Sequence, residues 1–226
     1  MATVVTVSLR WLGHAGFEIK ADGKVIYVDP YRAKKYVERV PDVFDPATLV
    51  LVTHSHADHC DPDAILSFLS DSTVIIAPKD CAEKINRDFK SLTAGEETTV
   101  RGIRVKAVQA YNVKRFRSPG KPFHPRGFGV GYLITVQGRT IYHAGDTDVI
   151  PEMKELGPID VALLPCGDTY TMDNTEAAEA ALAIKPRLVV PMHNWDKDTS
   201  DFRKKLERRG GIRFLAPKEG EEFVVQ

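Results

Sequence analysis

The sequence predicts an α/β sandwich of four layers, in which two mixed β-sheets pack face to face and helices cover their outer faces. Each half of the 226-residue chain opens with runs typical of antiparallel strands and continues as an alternation of strands and helices. No Ser/Gly-rich linker, internal repeat or low-complexity tract divides it, so we expect one domain over residues 1–226. A chain of this length buries roughly 70% of its unfolded surface, which is enough for a core without disulfides.

The first half is rich in short apolar runs. The predicted strands are Val4–Leu12, Phe17–Lys20, Lys24–Val28, Leu49–Thr53, Thr73–Ala77 and a pair within Thr98–Ala110 that turns at Gly102. Helices are predicted over Pro62–Leu69, with Asp61 as the N-cap, and over Lys79–Asp88. The basic segment Val113–Phe128 shows no periodicity and is predicted to be an irregular loop.

The second half repeats this order. A Gln137-Gly138 turn between two apolar runs indicates a hairpin. The predicted elements are strands Gly129–Val136 and Arg139–His143, a short helix Val149–Leu156, strand Val161–Pro165, helix Thr175–Ile184 with Asn174 or Asp173 as cap, strand Leu188–Met192, helix Ser200–Arg209 and strand Ile212–Leu215.

Charge and composition exclude several classes of function. The 31 Lys and Arg balance the 31 Asp and Glu, and this argues against a nucleic-acid or membrane partner, since both generally require a broad basic face. No apolar run approaches the ~20 residues of a spanning helix, and the amino terminus lacks a signal-peptide pattern. Three cysteines without a CxxC motif fit a reducing compartment. We therefore expect a cytoplasmic protein.

The motif with the most chemical content follows the apolar run at Leu49–Thr53. Three histidines and an aspartate occur within six residues, as His54, His56, Asp58 and His59. Histidines at positions i and i+2 of an extended loop turn to the same side, and the following pair can bend to a second position. This spacing predicts ligands for two adjacent metal ions.

Two other predicted strands end in residues of the same kind. Asp146 follows Arg139–His143, and His193 follows Leu188–Met192. Since α/β folds collect their sites at strand ends, Asp146 is predicted to bridge the two metals and His193 to join Asp58 and His59 on the second.

The sequence resembles the metallo-β-lactamase superfamily through HSHADH at 54–59, YHAGDT at 142–147 and PMHN at 191–194. Within it, WLGHAGF at 11–17, VDP at 28–30 and the segment 165–172 resemble the branch of small metal-dependent hydrolases related to L-ascorbate-6-phosphate lactonase and N-acylphosphatidylethanolamine phospholipase D. The resemblance covers essentially the whole chain. It implies an αβ/βα sandwich with His54 and His56 on one metal, Asp58, His59 and His193 on the other, and Asp146 between them.

The chain departs from this family at one position. Relatives usually place a third histidine on the first metal where this chain has Asn112. An amide oxygen is a weaker ligand than imidazole, so either the ion is held loosely or another imidazole takes the place. His124, between two prolines, is the alternative, against a solvated loop histidine. The resemblance places His14 beside the metals as a substrate contact or as support, and His143 is expected to be structural.

Bound divalent ions, with zinc expected and manganese or iron as alternatives, lower the pKa of water from roughly 15.7 to about 7, so hydrolysis is the expected reaction. Asp58 is predicted to orient that water or take its proton. His14, His124 or Asn112 would polarise or protonate the scissile group. No GxSxG elbow supports a serine triad, and the glycines at 127–131 precede a strand, which excludes a dinucleotide loop.

Substrate recognition is predicted from the basic segment 113–128, which carries five Lys or Arg and three Phe. The expected substrate is a small anionic ester, lactone or phosphodiester, with Asn112, Lys121, Arg126 and Asp168 as contacts. A solvated basic loop is the alternative for this segment. A nuclease of the same superfamily and a metal-bearing protein that binds small molecules with little catalysis are the alternative functions. A homo-oligomer is left open.

Overall fold

The computed structural model describes residues 6–40 and 44–225. Within them sixteen strands form two seven-stranded sheets and one two-stranded ribbon. Their bounds are β1 Val7–Gly13, β2 Gly16–Ala21, β3 Lys24–Val28, β4 Leu49–Leu51, β5 Val74–Ala77, β6 Lys90–Ser91, β7 Glu97–Val100, β8 Ile103–Ala110, β9 Phe116–Ser118, β10 Lys121–Pro122, β11 Gly129–Val136, β12 Arg139–His143, β13 Val161–Pro165, β14 Leu188–Met192, β15 Arg213–Phe214 and β16 Glu222–Val225.

Each large sheet combines an antiparallel and a parallel part. The first has the order β16-β1-β2-β3-β4-β5-β6, antiparallel up to β3 and parallel from β3 to β6. The second has the order β15-β14-β13-β12-β11-β8-β7, parallel from β15 to β12 and antiparallel beyond. The two halves of the chain thus build similar sheets, as their sequence pattern predicts.

Helices follow the parallel strands of both sheets. Their bounds are α1 Lys34–Val37, α2 Pro62–Ser67, α3 Ala82–Ile85, α4 Asn174–Ile184 and α5 Ser200–Glu207, with 3-10 turns at Lys79–Cys81 and Pro151–Glu155. Asp61 accepts from the N–H groups of Asp63 and Ala64 and so caps α2 as predicted. Asp173 and Glu176 form a reciprocal capping box on α4. In the described part of the chain, no helix combines the length and the apolarity that crossing a membrane requires.

The core shows why the chain forms layers. Successive residues of β3 and β4 point to opposite faces: Ile26 and Leu49 belong to the cluster shared with the second sheet, whereas Tyr27 and Val50 pack with α2 residues such as Ile65. On the other side, α4 packs against β13 and α5. The predicted α/β sandwich of four layers is confirmed.

Several elements differ from the sequence-based prediction. The helix predicted over Lys79–Asp88 is a 3-10 turn followed by α3, because Asn86 adopts a left-handed conformation with φ 45° and ends it. The segment 113–128 contains the β9–β10 ribbon, and α1, β6 and β16 were not predicted. The predicted first strand starts at Val4, which lies outside the described residues.

Candidate metal centre

The motif loop 53–59 leaves β4 at the seam between the two sheets. The N–H groups of His59 and Cys60 both donate to the carbonyl of His56, at 3.1 and 2.8 Å. This turn reverses the chain within four residues, so the first and last ligand-type side chains face one space. Gly129 of β11 lies directly against the loop, where an added Cβ would come 2.8 Å from the Cβ of His54.

Three imidazoles form the first cluster. Nδ1 of His56 lies 3.1 Å from Nε2 of His54 and 3.1 Å from Nε2 of His124. His54 and His124 are buried, and His56 is partly exposed toward the outside. The structure therefore brings the loop histidine His124 to the position that a third imidazole would occupy.

Asn112 lies behind His124. Its Oδ1 accepts from the backbone N–H of His124 at 2.8 Å and lies 2.8 Å from Nδ1 of the same ring. Its Nδ2 donates to the carbonyl of Tyr170 at 3.0 Å. Since an amide oxygen only accepts, Nδ1 of His124 is the donor, and the lone pair of its Nε2 is directed into the cluster. The amide of Asn112 is thus engaged with the protein on both sides.

The second cluster consists of His14, Asp58, His59 and His193, whose ligand-type atoms all lie within 4.8 Å of one another. Oδ2 of Asp58 is 2.9 Å from Nε2 of His14, 3.7 Å from Nε2 of His193 and 3.9 Å from Nε2 of His59. His14 and His193 both have positive φ, 54° and 49°, and the N–H of His193 donates to the carbonyl of His14 at 2.9 Å. Such strained backbone, held by tertiary contacts, is typical of functional sites.

Asp146 connects the two clusters. Its Oδ2 lies 3.3 Å from Nε2 of His124 and 3.3 Å from Nε2 of His193, while its Oδ1 lies 3.3 Å from Nε2 of His59. The side chain is 3% exposed. All six residues predicted as core ligands, together with His124, therefore meet in one place.

Asp29 supports the site from behind, a role that the sequence did not assign. Its Oδ2 is 2.7 Å from Nδ1 of His59, and the N–H and hydroxyl of Thr53 donate to it at 2.7 and 2.6 Å. A buried carboxylate on the far nitrogen of an imidazole fixes its tautomer and directs the other nitrogen to a metal. The sequence feature that could have indicated this role is the position of Asp29 at the end of β3.

Burial and neighbouring charges shift the pKa values of the site residues in opposite directions. Burial lowers the pKa of His14 and His124 to about 4 and that of His54 well below its usual value. For His193 burial acts downward, yet Asp146 and Asp58 outweigh it and raise the pKa to about 9. The carboxylate of Asp146 stays ionised because neighbouring imidazoles overcome the effect of its burial. At pH 7 the site therefore combines neutral imidazoles at His14, His54 and His124 with carboxylates that favour a positive charge on His193.

These residues fit a pair of divalent ions. Among the described residues no hydrogen-bond partner is found for Nε2 of His59, Nε2 of His193 or Oδ1 of Asp146, although all three atoms are buried. Buried polar atoms without partners are costly, and a bound cation would satisfy them together. Imidazole nitrogens and carboxylate oxygens are the donor set that zinc, manganese and iron accept.

A cavity of about 270 Å³ opens onto both clusters. Its lining residues are His56, Asp58, Arg117, Phe123, His124, Asp146, Tyr170 and Trp195. Tyr170 and Trp195 are solvent-exposed aromatic residues that the sequence did not single out. Both lie in loops that follow strands of the second sheet. Aromatic residues at such positions are the sequence feature that could have indicated a binding surface.

The predicted substrate contacts lie elsewhere. Arg126 donates to Glu152 at 2.7 Å, the exposed Asp168 accepts from Arg115 at 3.2 Å, and Lys121 belongs to the β9–β10 ribbon. None of the three is among the residues that line the cavity. Their role in binding substrate stays a prediction, and their positions do not favour it.

His143 is structural in its contacts. It is fully buried, its Nε2 donates to the carbonyl of Ala15 at 2.8 Å, and its Nδ1 accepts from the N–H of Gly145 at 3.2 Å. It thereby joins the β1–β2 turn, which carries His14, to the loop that carries Asp146. The three cysteines are free and buried.

Comparison with known proteins agrees with this geometry. Residues 8–193 match the family model described as the beta-lactamase superfamily domain. The UPF0173 metal-dependent hydrolase of Pyrococcus abyssi (strain GE5 / Orsay) is 37% identical over 97% of this chain and 100% of its own length. That of Thermococcus kodakarensis is also 37% identical, over 97% of this chain and 100% of its own.

Two solved structures share the fold. Igni18, a metallo hydrolase from Ignicoccus hospitalis KIN4/I, superposes with a TM-score of 0.76 at 26% identity, covering 98% of this chain and 99% of its own. A protein of Parabacteroides distasonis ATCC 8503, described as a candidate metal-dependent hydrolase, has a TM-score of 0.85 at 33% identity, covering 94% and 93%. The chain therefore belongs to the metallo-β-lactamase superfamily and, within it, to the UPF0173 family.

Proposed function

We propose that this protein is a metal-dependent hydrolase that acts on a small anionic ester, lactone or phosphodiester at a two-metal site. The observation that carries the proposal is the convergence of six imidazoles and two carboxylates, of which His56, Asp58, His124 and Asp146 line an open cavity. The three free cysteines and the balanced charge support a cytoplasmic protein whose partner is a small molecule and not a nucleic acid.

The ligand assignment follows from the atoms that face one another. His54, His56 and His124 would hold the first ion, Asp58, His59 and His193 the second, and Asp146 would contact both. Zinc is the metal that we propose, with manganese and iron as alternatives. When bound, such ions supply hydroxide at neutral pH and polarise the scissile group.

Asp58 is the proposed acid–base residue. Its side chain is 27% exposed, whereas those of His59, Asp146 and His193 are 3% exposed or less, so of the two carboxylates that line the cavity Asp58 is the one with room for solvent. Its carboxylate is held ionised because the hydrogen bond from His14 and the nearby imidazole of His193 outweigh the effect of burial on its pKa. An ionised carboxylate at this place can orient the attacking water and accept its proton.

His14 is proposed to position Asp58. With a pKa lowered to about 4 its ring is neutral at pH 7, and Nε2–H donates to Oδ2 of Asp58 at 2.9 Å. His14 is not among the residues that line the cavity. This contact fixes the carboxylate while its other oxygen stays available.

The test compares wild type with Asp58→Ala on a panel of p-nitrophenyl phosphodiesters, lactones and acyl amides, with zinc, manganese or iron added. We expect the wild type to hydrolyse at least one class and Asp58→Ala to lose at least 100-fold of that rate. Asp63→Ala, which changes an exposed aspartate of α2, is the matched control and should retain full activity. Equal rates for wild type and Asp58→Ala would refute the proposal.

A further inference from the structure

Three aromatic side chains form a continuous wall on one side of the cavity. Phe123 and Tyr170 meet edge to face with ring centroids 4.8 Å apart, and Tyr170 and Trp195 follow at 6.4 Å. We call Phe123, Tyr170 and Trp195 the aromatic wall. It extends from the first cluster, where Phe123 precedes His124, to the second, where the Trp195 ring lies 5.3 Å from that of His193.

The wall is held in place yet exposed. Tyr170 and Trp195 are 38% and 39% exposed, which is unusual for side chains of this size unless they serve contact with another molecule. Trp195 is fixed by its packing: a Cβ on Gly167 would come 2.8 Å from its Cδ1, and its ring centroid is 4.6 Å from that of His14. A rigid exposed aromatic surface binds flat apolar groups at little cost in conformational entropy.

Two cations lie beside this wall, and one of them, Lys35, is paired: its Nζ is 5.8 Å from the Trp195 ring centroid and 3.2 Å from Oδ2 of Asp196. The guanidinium of Arg117 is 5.7 Å from the centroid of Phe123, and its Nη2 is 3.5 Å from Nε2 of His56. Of the other four basic side chains of the segment 113–128, three are bound to carboxylates: Lys114 to Glu176, Arg115 to Asp148 and Arg126 to Glu152. The fourth, Lys121, belongs to the β9–β10 ribbon and does not line the cavity. Within the described ranges, no carboxylate lies within ion-pair distance of Arg117.

The place of Arg117 restricts where a substrate's charge can lie. Because the guanidinium contacts the outer nitrogen of a first-cluster imidazole, an anion bound to it lies next to the metal cluster. The charge is then on the group that is hydrolysed or directly beside it. A phosphodiester fits this requirement, since its single negative charge belongs to the scissile group itself.

We propose that the substrate is an aryl-bearing monoanion, whose flat ring stacks on the aromatic wall while Arg117 binds the charge beside the scissile bond. The proposal rests on the function proposed above and adds a substrate class to it. Aryl phosphodiesters are its simplest representatives.

The test measures binding without turnover. Phenylphosphonate and methylphosphonate differ in the ring, both carry mainly a single negative charge at pH 6, where the titration is done, and neither has an ester bond to hydrolyse. Calorimetric titration of the zinc-loaded wild type should give about fivefold to tenfold tighter binding of phenylphosphonate, the effect of one aromatic contact. Trp195→Ala and, separately, Tyr170→Ala should reduce this preference toward unity, with metal content and thermal unfolding measured to show that each variant is folded.

The role of the Arg117 guanidinium is tested in the same assay. Arg117→Gln should weaken both phosphonates by a similar factor, about tenfold, and so leave their ratio unchanged. Arg104→Gln, which removes an exposed arginine of β8, is the matched control and should bind both as the wild type does.

Equal affinity of the wild type for the two phosphonates, or a preference that survives in both aromatic variants, would overturn the inference. Unchanged affinity in Arg117→Gln would overturn the role of the charge. Because the readout is binding, a phenyl preference that depends on Trp195 can stand even if the hydrolysis panel shows no Asp58-dependent rate. Conversely, hydrolysis without this preference would leave the proposed function intact.

Discussion

Asn112 lies where the family resemblance implies a third imidazole on the first metal. In the structure its side chain accepts from Nδ1 of His124 and thereby directs Nε2 of that ring into the first cluster. The third imidazole of this cluster comes from the loop, and Asn112, which follows β8, supports it.

This arrangement predicts a specific loss in Asn112→Leu. Leucine is similar in size but accepts no hydrogen bond, so Nδ1 of His124 is left unpaired and the ring is no longer held. Losing a support of this kind typically costs 10–100-fold in metal affinity. Zinc bound per chain, measured by mass spectrometry after dialysis against limiting zinc, should fall by about one ion.

Asn112→Asp is the matched control, because its carboxylate accepts from the same nitrogen and should retain two ions. Retention of both ions by Asn112→Leu, at wild-type affinity, would show that His124 does not depend on Asn112.

The residue scale also shows what the sequence could and could not predict. The structure brings the four side chains of the motif 54–59 close together, because a tight turn after a strand leaves little freedom. The role of Asn112 could not be predicted from the sequence. It depends on the ring of His124, twelve residues away, and on which nitrogen of that ring faces the cluster. His124 was found only as one of two alternatives.

At the scale of elements, the segment 113–128 is held by helix α4 and by the loop after β12. Asp148 accepts from the N–H groups of Val113, Lys114 and Arg115 at 2.8, 2.7 and 3.2 Å. Glu176, in the first turn of α4, binds Lys114 at 2.7 Å and also Arg115. Two of the five basic side chains that suggested an anion-binding wall, those of Lys114 and Arg115, thus attach the segment to its neighbours. The sequence does not indicate this attachment, since Glu176 is 62 residues from Lys114.

Glu176 should make stability depend on pH in the acid range. Burial raises its pKa, but the hydrogen bond from Lys114, the N–H of Asp173 and the charge of Arg115 outweigh burial and lower it below the ordinary value of 4.5. A depressed carboxyl pKa stabilises the fold above the unfolded pKa, and this contribution is lost as pH falls through the folded pKa. Glu176→Gln should therefore unfold about 2 kcal/mol more easily at pH 7.

Urea unfolding of both proteins between pH 7 and pH 3 measures the effect. The difference between them should shrink below about pH 4.5 as the wild type becomes protonated. Glu179→Gln, an exposed position of the same helix, should differ little from wild type at any pH. A difference between wild type and Glu176→Gln that is constant down to pH 3 would contradict the assignment.

At the scale of the whole molecule, the sequence pattern was sufficient to predict the strands where buried residues recur regularly along the chain. The bounds of β3, β11, β12, β13 and β14 agree with the prediction to the residue, and apart from the partly exposed Leu133 the apolar residues of these strands are buried. β16 was missed because Glu222–Val225 is short and largely exposed, and becomes a strand only by pairing with β1. Such edge strands depend on tertiary contacts and not on local preference.

The position of the site at the seam between the sheets leads to a prediction about the whole fold. His54, Asp58 and His59 follow the first sheet, whereas Asp146 and His193 follow strands of the second, so bound ions would join the two across a shared core. Ligands that bind only the folded state stabilise it, by about 2.7 kcal/mol at 100 times the dissociation constant. Removing the metal by EDTA and dialysis should therefore lower the Tm by roughly 5–10 °C in one cooperative transition, and zinc should restore it.

Asp146→Ala, which lacks the residue common to both clusters, should show a smaller shift under the same treatment. A Tm that is unchanged after complete removal of the metal, as checked by mass spectrometry, would mean that the two sheets are held together by their apolar core alone and that the ions add nothing to it.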